Sequence, residues 1–426
     1  MNSFNDIIRN QWAFMLKKWL LLLVCIALLA QYSEASKRKN VVSSITINNP
    51  SGLVRHKEII SINRKELETG KDHLFPLVQM NRKALISQIT DTNNDDVWDV
   101  LLVEVSLAAY ATETLQISWT IIPSAAAKLS TNVRLSLRSG TDKPFAEIND
   151  TVRYRGFKQN TARPFYQMEG PGIENDKVAF RSFFDYRNGK DIFGKITPEM
   201  VLEKVGVGVS WHNLQSWGMD ILKVGNSLGA GAIAVKEKDD IYRIADADTS
   251  SFKVLYKGPL QAAFKLDFKN WDVAKSKMNG RETILMSKGD FFYKNEIELK
   301  LRNRQQLISG IANFIGAPLM VKHYPGGFSS IATYGKQAEG TATNLGLAIM
   351  CSSASYVTSA TTDSASNIPN TSYVALKAKD TTTIYFFACW QQTDTRFSSI
   401  AGFQDYLEQT AARLANPIQI LINRKK

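Results

Sequence analysis

The chain is poor in the residues that build metal and thiol sites. Its 426 residues include 3 cysteines and 4 histidines, and the histidines show no metal-ligand spacing. Neither an H-E-x-x-H nor a C-x-x-C motif occurs. We therefore expect no metal and no cofactor. We also expect the protein to be neither a zinc peptidase, a thiol oxidoreductase nor a serine hydrolase.

Apolar runs long enough to span a membrane are also lacking. The run Trp19–Ala30 has twelve residues, too few to cross a bilayer comfortably. Two lysines precede it and Ser33-Glu34-Ala35 follows it, which is the pattern of a secretory signal peptide. We predict a signal peptide at 1–35, cleaved near Ala35, and a secreted or periplasmic protein with no stable membrane insertion afterwards. An uncleaved anchor is the alternative.

Acidic residues are outnumbered by basic ones. The chain has 52 Lys and Arg against 40 Asp and Glu, a formal charge of +12, which predicts an anionic partner. Export argues against nucleic acid, and the basic run Ser36–Asn40 is short. We therefore expect an acidic oligosaccharide, bearing uronate or sulfate groups, as the partner.

Two cysteines, Cys351 and Cys389, follow the predicted cleavage site, and both lie in segments that alternate like strands. In an oxidising compartment they can form one disulfide. Two buried free thiols are the alternative, and the sequence does not separate the two.

Helical periodicity is scarce, whereas alternation with a period of two residues recurs along the chain. Val133–Arg138, Ala263–Phe268 and Glu296–Leu301 each place apolar side chains on one face. An apolar stripe from Ser399 predicts a C-terminal helix, and Thr197 to Gly206 predicts a short one. The pattern predicts a mainly β protein, with two antiparallel sheets packed face to face in a single domain at 36–426.

The segment from Gly170 to Gly231 combines charges of both signs, aromatic rings and a histidine. Arg181 and Arg187 offer planar forks for a carboxylate or sulfate, and Asp185 is expected on the same side of one strand. A surface ion-pair ladder is the alternative. Lys223 is a further cation, and Trp217 is a candidate to stack on a sugar or to lie in the core.

Histidine is the natural general base or acid near neutral pH, which makes His212 a candidate catalytic residue. His323 and Tyr324 form a second candidate pair, with a packed turn as the alternative. Gly225, Gly229 and Gly231 fit no phosphate loop, so we interpret them as close packing or sheet bends. The residues Asp91, Asn93, Asp95 and Asp99 alternate like calcium ligands, although a solvated turn suits them better.

Several segments resemble one bacterial family. These segments are GPGIENDKVAFRSFFDYRNGKDIFGK at 170–195, WGMDILKVGNSLGAG at 217–231, ITINNP at 45–50, DTNNDDVWD at 91–99 and FQDYLEQTAARLANPIQI at 403–420. They resemble the domain of unknown function 4861. Ile173 stands where the family tends to have an aromatic residue, and Asn94 and Asp96 stand where it favours glycine. The resemblance implies a galactose-mutarotase-like antiparallel β-supersandwich.

The resemblance also implies an activity. It suggests a dehydratase or lyase that acts by β-elimination on the non-reducing-end uronic acid of anionic oligosaccharides. Such a reaction requires a cation for the carboxylate, a base and an acid. The candidates are Arg181, Arg187 or Lys223 for the carboxylate, His212 for the base, and Tyr324, His323 or Glu174 for the acid. A sugar isomerase of the mutarotase or epimerase kind and a non-catalytic glycan-binding protein are the alternatives.

Overall fold

The computed structural model describes residues 43–67, 73–93, 95–122, 127–140, 143–158, 165–244, 247–377 and 379–422. The predicted signal peptide and its cleavage site lie outside these residues. No helix in the described ranges is both long and apolar enough to span a bilayer.

Strands account for most of the described elements, and α1 (Ile400–Ala415) is the one α-helix among them. In chain order the strands are β1 (Ser43–Asn48), β2 (Arg55–Asn63), β3 (Phe75–Met80), β4 (Lys83–Ala84), β5 (Ser87–Thr90), β6 (Val100–Leu107), β7 (Thr112–Thr120), β8 (Thr131–Leu137), β9 (Ala146–Ile148), β10 (Asp150–Tyr154), β11 (Gly172–Asn175), β12 (Val178–Ser182), β13 (Lys190–Lys195), β14 (Gly218–Asp220), β15 (Ala230–Glu237), β16 (Asp240–Arg243), β17 (Thr249–Tyr256), β18 (Gln261–Val273), β19 (Ser276–Ser287), β20 (Phe292–Leu299), β21 (Gln305–Ala312), β22 (Met320–Tyr324), β23 (Phe328–Gly335), β24 (Leu345–Ser352), β25 (Tyr356–Thr361), β26 (Thr371–Leu376), β27 (Thr382–Trp390) and β28 (Gln419–Ile422). The short 3-10 helices are Arg64–Leu67, Gln167–Glu169 and Thr395–Ser398.

The strands form five sheets, and neighbouring strands in each run antiparallel. The sheet orders are β28-β1-β7-β3-β4, β2-β6-β5, β10-β17-β18-β19-β20-β27-β24-β23-β22, β14-β13-β12-β11-β8-β9 and β16-β15-β21-β26-β25. This architecture confirms the predicted antiparallel β-supersandwich with a C-terminal helix.

The largest core lies between the nine-stranded sheet on one side and the six-stranded sheet and the β15-containing sheet on the other. Side chains from alternate positions meet there, including Val133 of β8, Phe264 and Leu266 of β18, and Ile297 of β20. These are the residues that the period-two pattern assigned to a buried face, so sequence alternation identified this core correctly.

A smaller core joins the two ends of the chain. Ile45 and Ile47 of β1 pack with strands of the two small sheets, and β28 pairs with β1 so that Ile45 lies opposite Ile422. The buried guanidinium of Arg55 bonds through Nε to Asn49 Oδ1 and through Nη2 to the Asn416 carbonyl. The N-terminal strand is therefore tied to the segment that follows α1.

The C-terminal helix begins where the sequence predicts. The Ser399 hydroxyl accepts a hydrogen bond from the Gly402 amide at 3.2 Å, and the helix packs Phe403, Leu407 and Ala411 on the nine-stranded sheet. We expect Ser399→Ala to lower the free energy of unfolding by about 1 kcal/mol, because it leaves an amide of the first turn without a partner. Urea unfolding measures this loss, and Ser399→Asp, which keeps an acceptor, should restore most of it.

The predicted short helix from Thr197 to Gly206 is wrong, since this segment forms bends and turns. The buried carboxylate of Glu174 accepts hydrogen bonds from the amides of Val201 and Leu202, at 2.8 and 3.0 Å. The segment also closes i→i+3 turns, such as the bond from the Lys204 amide to the Val201 carbonyl. The carboxylate of a residue on another strand therefore fixes this backbone, and the segment does not form the hydrogen bonds of an α-helix.

The two cysteines are free thiols and do not form a disulfide. Cys351 of β24 faces the large core between the sheets, whereas Cys389 of β27 faces the layer under α1. Because the two side chains leave the nine-stranded sheet on opposite faces, they cannot bridge. Burial raises the pKa of both thiols.

Ion pairs are buried inside the main sandwich. The Lys190 ammonium of β13 lies 2.8 and 3.0 Å from the carboxylate oxygens of Glu282 on β19, and both side chains are almost inaccessible to solvent. Asn295 of β20 donates a further hydrogen bond to Glu282 at 2.6 Å. This pair connects the two facing sheets through their core.

Candidate functional site

Strand alternation places three charged side chains on the outer face of the six-stranded sheet. Phe180, Ile192 and Met219 point into the large core. Their neighbours Arg181 of β12, Asp191 of β13 and Asp220 of β14 therefore point the other way. Arg181 lies directly opposite Asp191, and Asp220 lies opposite the residue two positions further along β13.

Arg181 is fully engaged by the protein. Its Nε and Nη2 donate to Asp191 Oδ2 at 3.0 and 2.5 Å, and Nη2 donates to Asp220 Oδ2 at 3.1 Å. Its Nη1 donates to the Met168 carbonyl. Three aromatic rings, of Phe183, Phe193 and Trp211, surround the guanidinium, with centroids 4.7–5.2 Å away. The prediction that Arg181 clamps a substrate carboxylate is therefore corrected, because its guanidinium group holds the carboxyl groups of Asp191 and Asp220.

Asp220 is the most strongly perturbed carboxyl of this cluster. Burial raises its pKa well above the usual range, the nearby Asp191 raises it further, and Arg181 offsets part of the shift. Its Oδ2 lies 3.8 Å from Nδ1 of His212, whose ring is 60% exposed. The arrangement therefore joins an accessible imidazole to a buried carboxyl that favours its protonated form.

A cavity of about 650 Å³ opens above this charged face. Segment 206–212 forms one wall and segment 222–225 another. Its charged and imidazole-bearing lining residues are Glu169, Arg181, Arg187, Asp191, His212, Asp220, Lys223 and Glu339. The structure thus brings together four of the residues singled out from the sequence: Arg181, Arg187, His212 and Lys223. The volume of this cavity suits a small polar ligand.

Arg187 lies in a turn and not on a strand. Strand β12 ends at Ser182, so Arg181, Asp185 and Arg187 do not share one strand face as expected. Arg187 donates to both oxygens of Asp185 and to Glu169 Oε2 at 3.1 Å, and its guanidinium lies 4.1 Å from the centroid of the Phe183 ring. Its Nη1 has no partner among the described residues, and this edge remains available to a ligand.

Lys223 is the least committed cation of the cavity. Its side chain is exposed, and Nζ lies 4.9 Å from the centroid of the Phe314 ring. Within the described part of the chain it forms no ion pair or hydrogen bond through its ammonium. Lys223 and the Nη1 edge of Arg187 are therefore the groups that can neutralise a ligand carboxylate.

Sequence reasoning missed Glu339, Asp191 and the role of Asp220. Glu339 lies between β23 and β24, more than a hundred residues from His212, and its amide bonds to the Ile221 carbonyl at 2.9 Å. Its exposed carboxylate forms no ion pair among the described residues, and its charge contributes to the raised pKa of Asp220. The alternation in KDIFGK at 190–195 was the one signal available for Asp191.

Glu174 and Trp217 lie outside the cavity. The Glu174 carboxylate is fully buried, and it pairs with Lys195 Nζ at 2.9 Å. Trp217 is buried against Phe193 and donates from Nε1 to Gln215. Neither side chain lines the cavity. The geometry therefore does not support Glu174 as the catalytic acid or Trp217 as a ring that stacks on a sugar, and both side chains stabilise the fold.

Tyr324 and His323 also lie elsewhere, on β22 at the edge of the nine-stranded sheet. The Tyr324 hydroxyl bonds to Ser330 Oγ at 2.9 Å, and burial raises its pKa. His323 Nδ1 bonds to Ser329 Oγ at 2.8 Å, and its ring meets the edge of Tyr356. They do not line the cavity, so the proposed acid must come from another residue if His212 is the base.

The glycine-rich segment after β14 serves packing. Gly229 has φ +68°, and a Cβ there would lie 2.0 Å from the Lys190 carbonyl. Residues 225–229 also match the spacing G-x-S-x-G, but Ser227 is buried and its hydroxyl donates to the Val224 carbonyl at 2.6 Å. This serine is therefore not an exposed nucleophile.

The acidic turn bonds to its own backbone. Asp91 accepts from the Asp96 amide, Asp99 accepts from the Thr92 amide and hydroxyl, and Asn93 donates to Asp95. Among the residues that the structure describes, no three His, Cys, Asp or Glu side chains are placed together to hold a metal ion. The hydrogen bonds within the segment are those of a turn that is held by its own side chains.

The family model described as "Domain of unknown function (DUF4861)" matches residues 47–420. The chain belongs to this family. A curated relative, "Uncharacterized protein P7" of Formosa agariphila, is 21% identical over 441 residues, which cover 95% of this chain and 100% of that protein.

Two solved structures are similar to part of this chain. One is a protein of glycosyl hydrolase family 38 from Enterococcus faecalis, with 9% identity and a TM-score of 0.50, covering 90% of this chain and 48% of that one. The other is an α-mannosidase from Enterococcus faecalis V583, with 9% identity and a TM-score of 0.48, covering 90% and 46%. The chain spans about half the length of each, and the likeness concerns the fold alone.

Proposed function

We propose that the protein is an exported, carbohydrate-active carbon–oxygen lyase that acts by β-elimination on a uronic acid of an anionic oligosaccharide. One observation carries the proposal. A single cavity combines an uncommitted ammonium, Lys223, with an exposed imidazole, His212, and a buried carboxyl of raised pKa, Asp220. The fold supports a saccharide substrate, because a glycosyl hydrolase family 38 protein has a similar architecture.

The first chemical demand is a cation for the substrate carboxylate. The C5 proton of a uronate is a weak acid, and charge builds on the carboxylate as this proton leaves. Lys223 and the free edge of Arg187 supply positive charge on the cavity wall. Arg181 supports the site indirectly, because it fixes the positions of Asp191 and Asp220 beneath it.

The second demand is a base and an acid. His212 removes the C5 proton. As the electron pair of that C–H bond forms the double bond between C4 and C5, the C4–O bond breaks and its electron pair leaves with the oxygen. Asp220 delivers a proton to this oxygen, which departs as water or as a hydroxyl of the neighbouring sugar. A carboxyl whose pKa is raised still carries its proton nearer neutrality, which suits the acid role.

The test is incubation of the purified protein with a panel of uronate oligosaccharides while ultraviolet absorbance is followed. A rise from the conjugated 4,5-unsaturated uronate is the expected result. Exchange of a ring proton with deuterated water, without an unsaturated product, would identify a sugar isomerase and contradict the lyase. Binding without turnover or exchange across the panel would indicate a glycan-binding protein.

We expect Lys223→Gln to reduce kcat/KM for a uronate substrate by about 10- to 100-fold, since a hydrogen bond to a charged group contributes about 1.5–3 kcal/mol. Lys336→Gln is the matched control, because Lys336 is exposed and lies outside the cavity lining. An equal loss in both variants would show that long-range charge, and not a contact from Lys223, governs the rate.

A further inference from the structure

A second cavity carries more positive charge than the candidate active site. Four carboxyl groups and three Lys or Arg side chains line the first cavity. The second has a volume of about 370 Å³, and its charged lining residues are Lys57, Glu58, Lys288, Asp290, Lys294 and Arg413. Four cations therefore face two carboxyl groups there. A chain with a formal charge of +12 thus concentrates part of its excess charge away from the candidate active site.

The two cavities lie on opposite sides of the main sandwich. The first opens on the outer face of the six-stranded sheet. The second lies on the outer face of the nine-stranded sheet, between β2, β19, β20 and the C-terminal end of α1. A ligand in the second cavity therefore does not compete for the space above His212.

Arg413 lines the second cavity, and part of its guanidinium group has no hydrogen-bond partner among the described residues. Its Nη2 is 2.7 Å from Asp290 Oδ1, and its guanidinium lies 5.8 Å from the centroid of Phe292. Its Nε and Nη1 have no side-chain or carbonyl acceptor among the residues that the structure describes. Because Asp290 and the aromatic ring fix the group, its free donors are preorganised for an anion.

Lys57 approaches from a bulge in β2. The register between β2 and β6 shifts between Arg55 and Glu58, and Lys57 adopts φ +50° at this point. A β-bulge changes the direction in which a side chain points, and a positive φ angle is uncommon for lysine. The Lys57 ammonium is exposed and forms no ion pair within the described ranges.

The remaining lining adds weaker cations and an aromatic hydroxyl. Lys288 and Lys294 pair with Glu104 and Glu296, at 2.9 and 2.6 Å, in partly exposed positions where such pairs contribute little. The Tyr385 hydroxyl has no partner among the described residues and borders the same cavity. An anionic group can therefore compete for both lysines and accept a hydrogen bond from the tyrosine.

We infer that this second cavity binds an anionic group of an acidic saccharide, either a sulfate ester or a uronate carboxylate, remote from the candidate active site. The site would hold a long polyanionic chain on the protein surface. It does not depend on turnover, so it stands or fails independently of the proposed lyase activity.

Affinity electrophoresis tests the inference, with dextran sulfate as a sulfate-only probe, polygalacturonate as a carboxylate-only probe and neutral dextran as a blank. Lys57→Ala/Lys294→Ala should raise Kd for the recognised polyanion about tenfold, with a smaller dependence on salt. Lys65→Ala/Lys83→Ala removes the same charge from exposed positions outside both cavities and should change Kd less than twofold.

The two probes identify which anionic group is recognised, since the preferred polymer is the one whose binding the cavity variant weakens. Equal weakening by both double variants would overturn the inference, because net charge alone would then explain binding. Failure of the unaltered protein to bind either polyanion would overturn it as well. Lys57→Ala/Lys294→Ala alters no residue that lines the first cavity, which separates this site from the proposed chemistry.

Discussion

Replacing His212 with alanine should lower kcat/KM for β-elimination by about 100- to 10,000-fold, the usual contribution of a general base. The imidazole is the exposed basic group closest to the buried Asp220 carboxyl, with 3.8 Å between Nδ1 and Oδ2. The absorbance assay on a uronate substrate measures the loss. Asn213→Ala, which changes the exposed neighbour, should retain activity. A His212→Ala enzyme with undiminished kcat/KM would remove His212 from the mechanism.

The pH profile extends this prediction to Asp220. Activity should fall at high pH as Asp220 loses the proton that its raised pKa retains. Asp220→Asn should abolish this fall in activity at high pH and should lower the rate. If the fall persists in Asp220→Asn but disappears in Glu339→Gln, then Glu339, which lines the same cavity, is the acid.

Folding stability should respond to the same carboxyl. A group whose pKa is higher in the folded than in the unfolded protein stabilises the fold fully below its unfolded pKa. That contribution is lost as pH rises through the raised folded pKa of Asp220. Urea unfolding of Asp220→Asn should therefore show a smaller decline in stability across this pH range than the unaltered protein shows.

The largest effect on stability should come from Glu282→Ala, which we expect to lower the free energy of unfolding by about 3–5 kcal/mol. The substitution leaves the Lys190 ammonium inside the sandwich without its carboxylate partner, at a position sealed from solvent. Its partner Asn295 also loses an acceptor. Chemical unfolding with urea, read by tryptophan fluorescence, measures the change.

Two comparisons separate this effect from a general loss of charge. Asp272→Ala removes a half-exposed carboxylate that pairs with Lys277 and Arg155, and it should cost less than about 1 kcal/mol per pair. The double variant Lys190→Met/Glu282→Leu should be more stable than Glu282→Ala alone, because it leaves no buried charge unpaired. A Glu282→Ala protein as stable as Asp272→Ala would contradict the assignment of a buried pair.

Much of the fold was accessible from the sequence because its signals are local. The stripe of Phe403, Leu407 and Ala411 predicted α1, and alternation predicted β8, β18 and β20. The error at Thr197 has a non-local cause, since the Glu174 carboxylate that captures the backbone is brought there by another strand. Likewise, alternation predicts that a cysteine lies in a strand but not which face of which sheet it occupies.

The candidate site was only partly accessible for the same reason. His212, Arg187 and Lys223 stand close together in the sequence, and they line one cavity. The pairing of β13 with β14 brings Asp191 near Asp220, and a loop between distant strands brings Glu339. Charge composition does not predict that Arg181 binds Asp191 and Asp220, because strand pairing decides which side chains lie next to Arg181.

Pairing of the first and last strands has a consequence for the order of folding. Ile45 and Ile422 are neighbours in one sheet although nearly the whole chain separates them. The sheet that contains β1 therefore lacks its edge strand until synthesis has reached β28, and such long-range contacts form slowly.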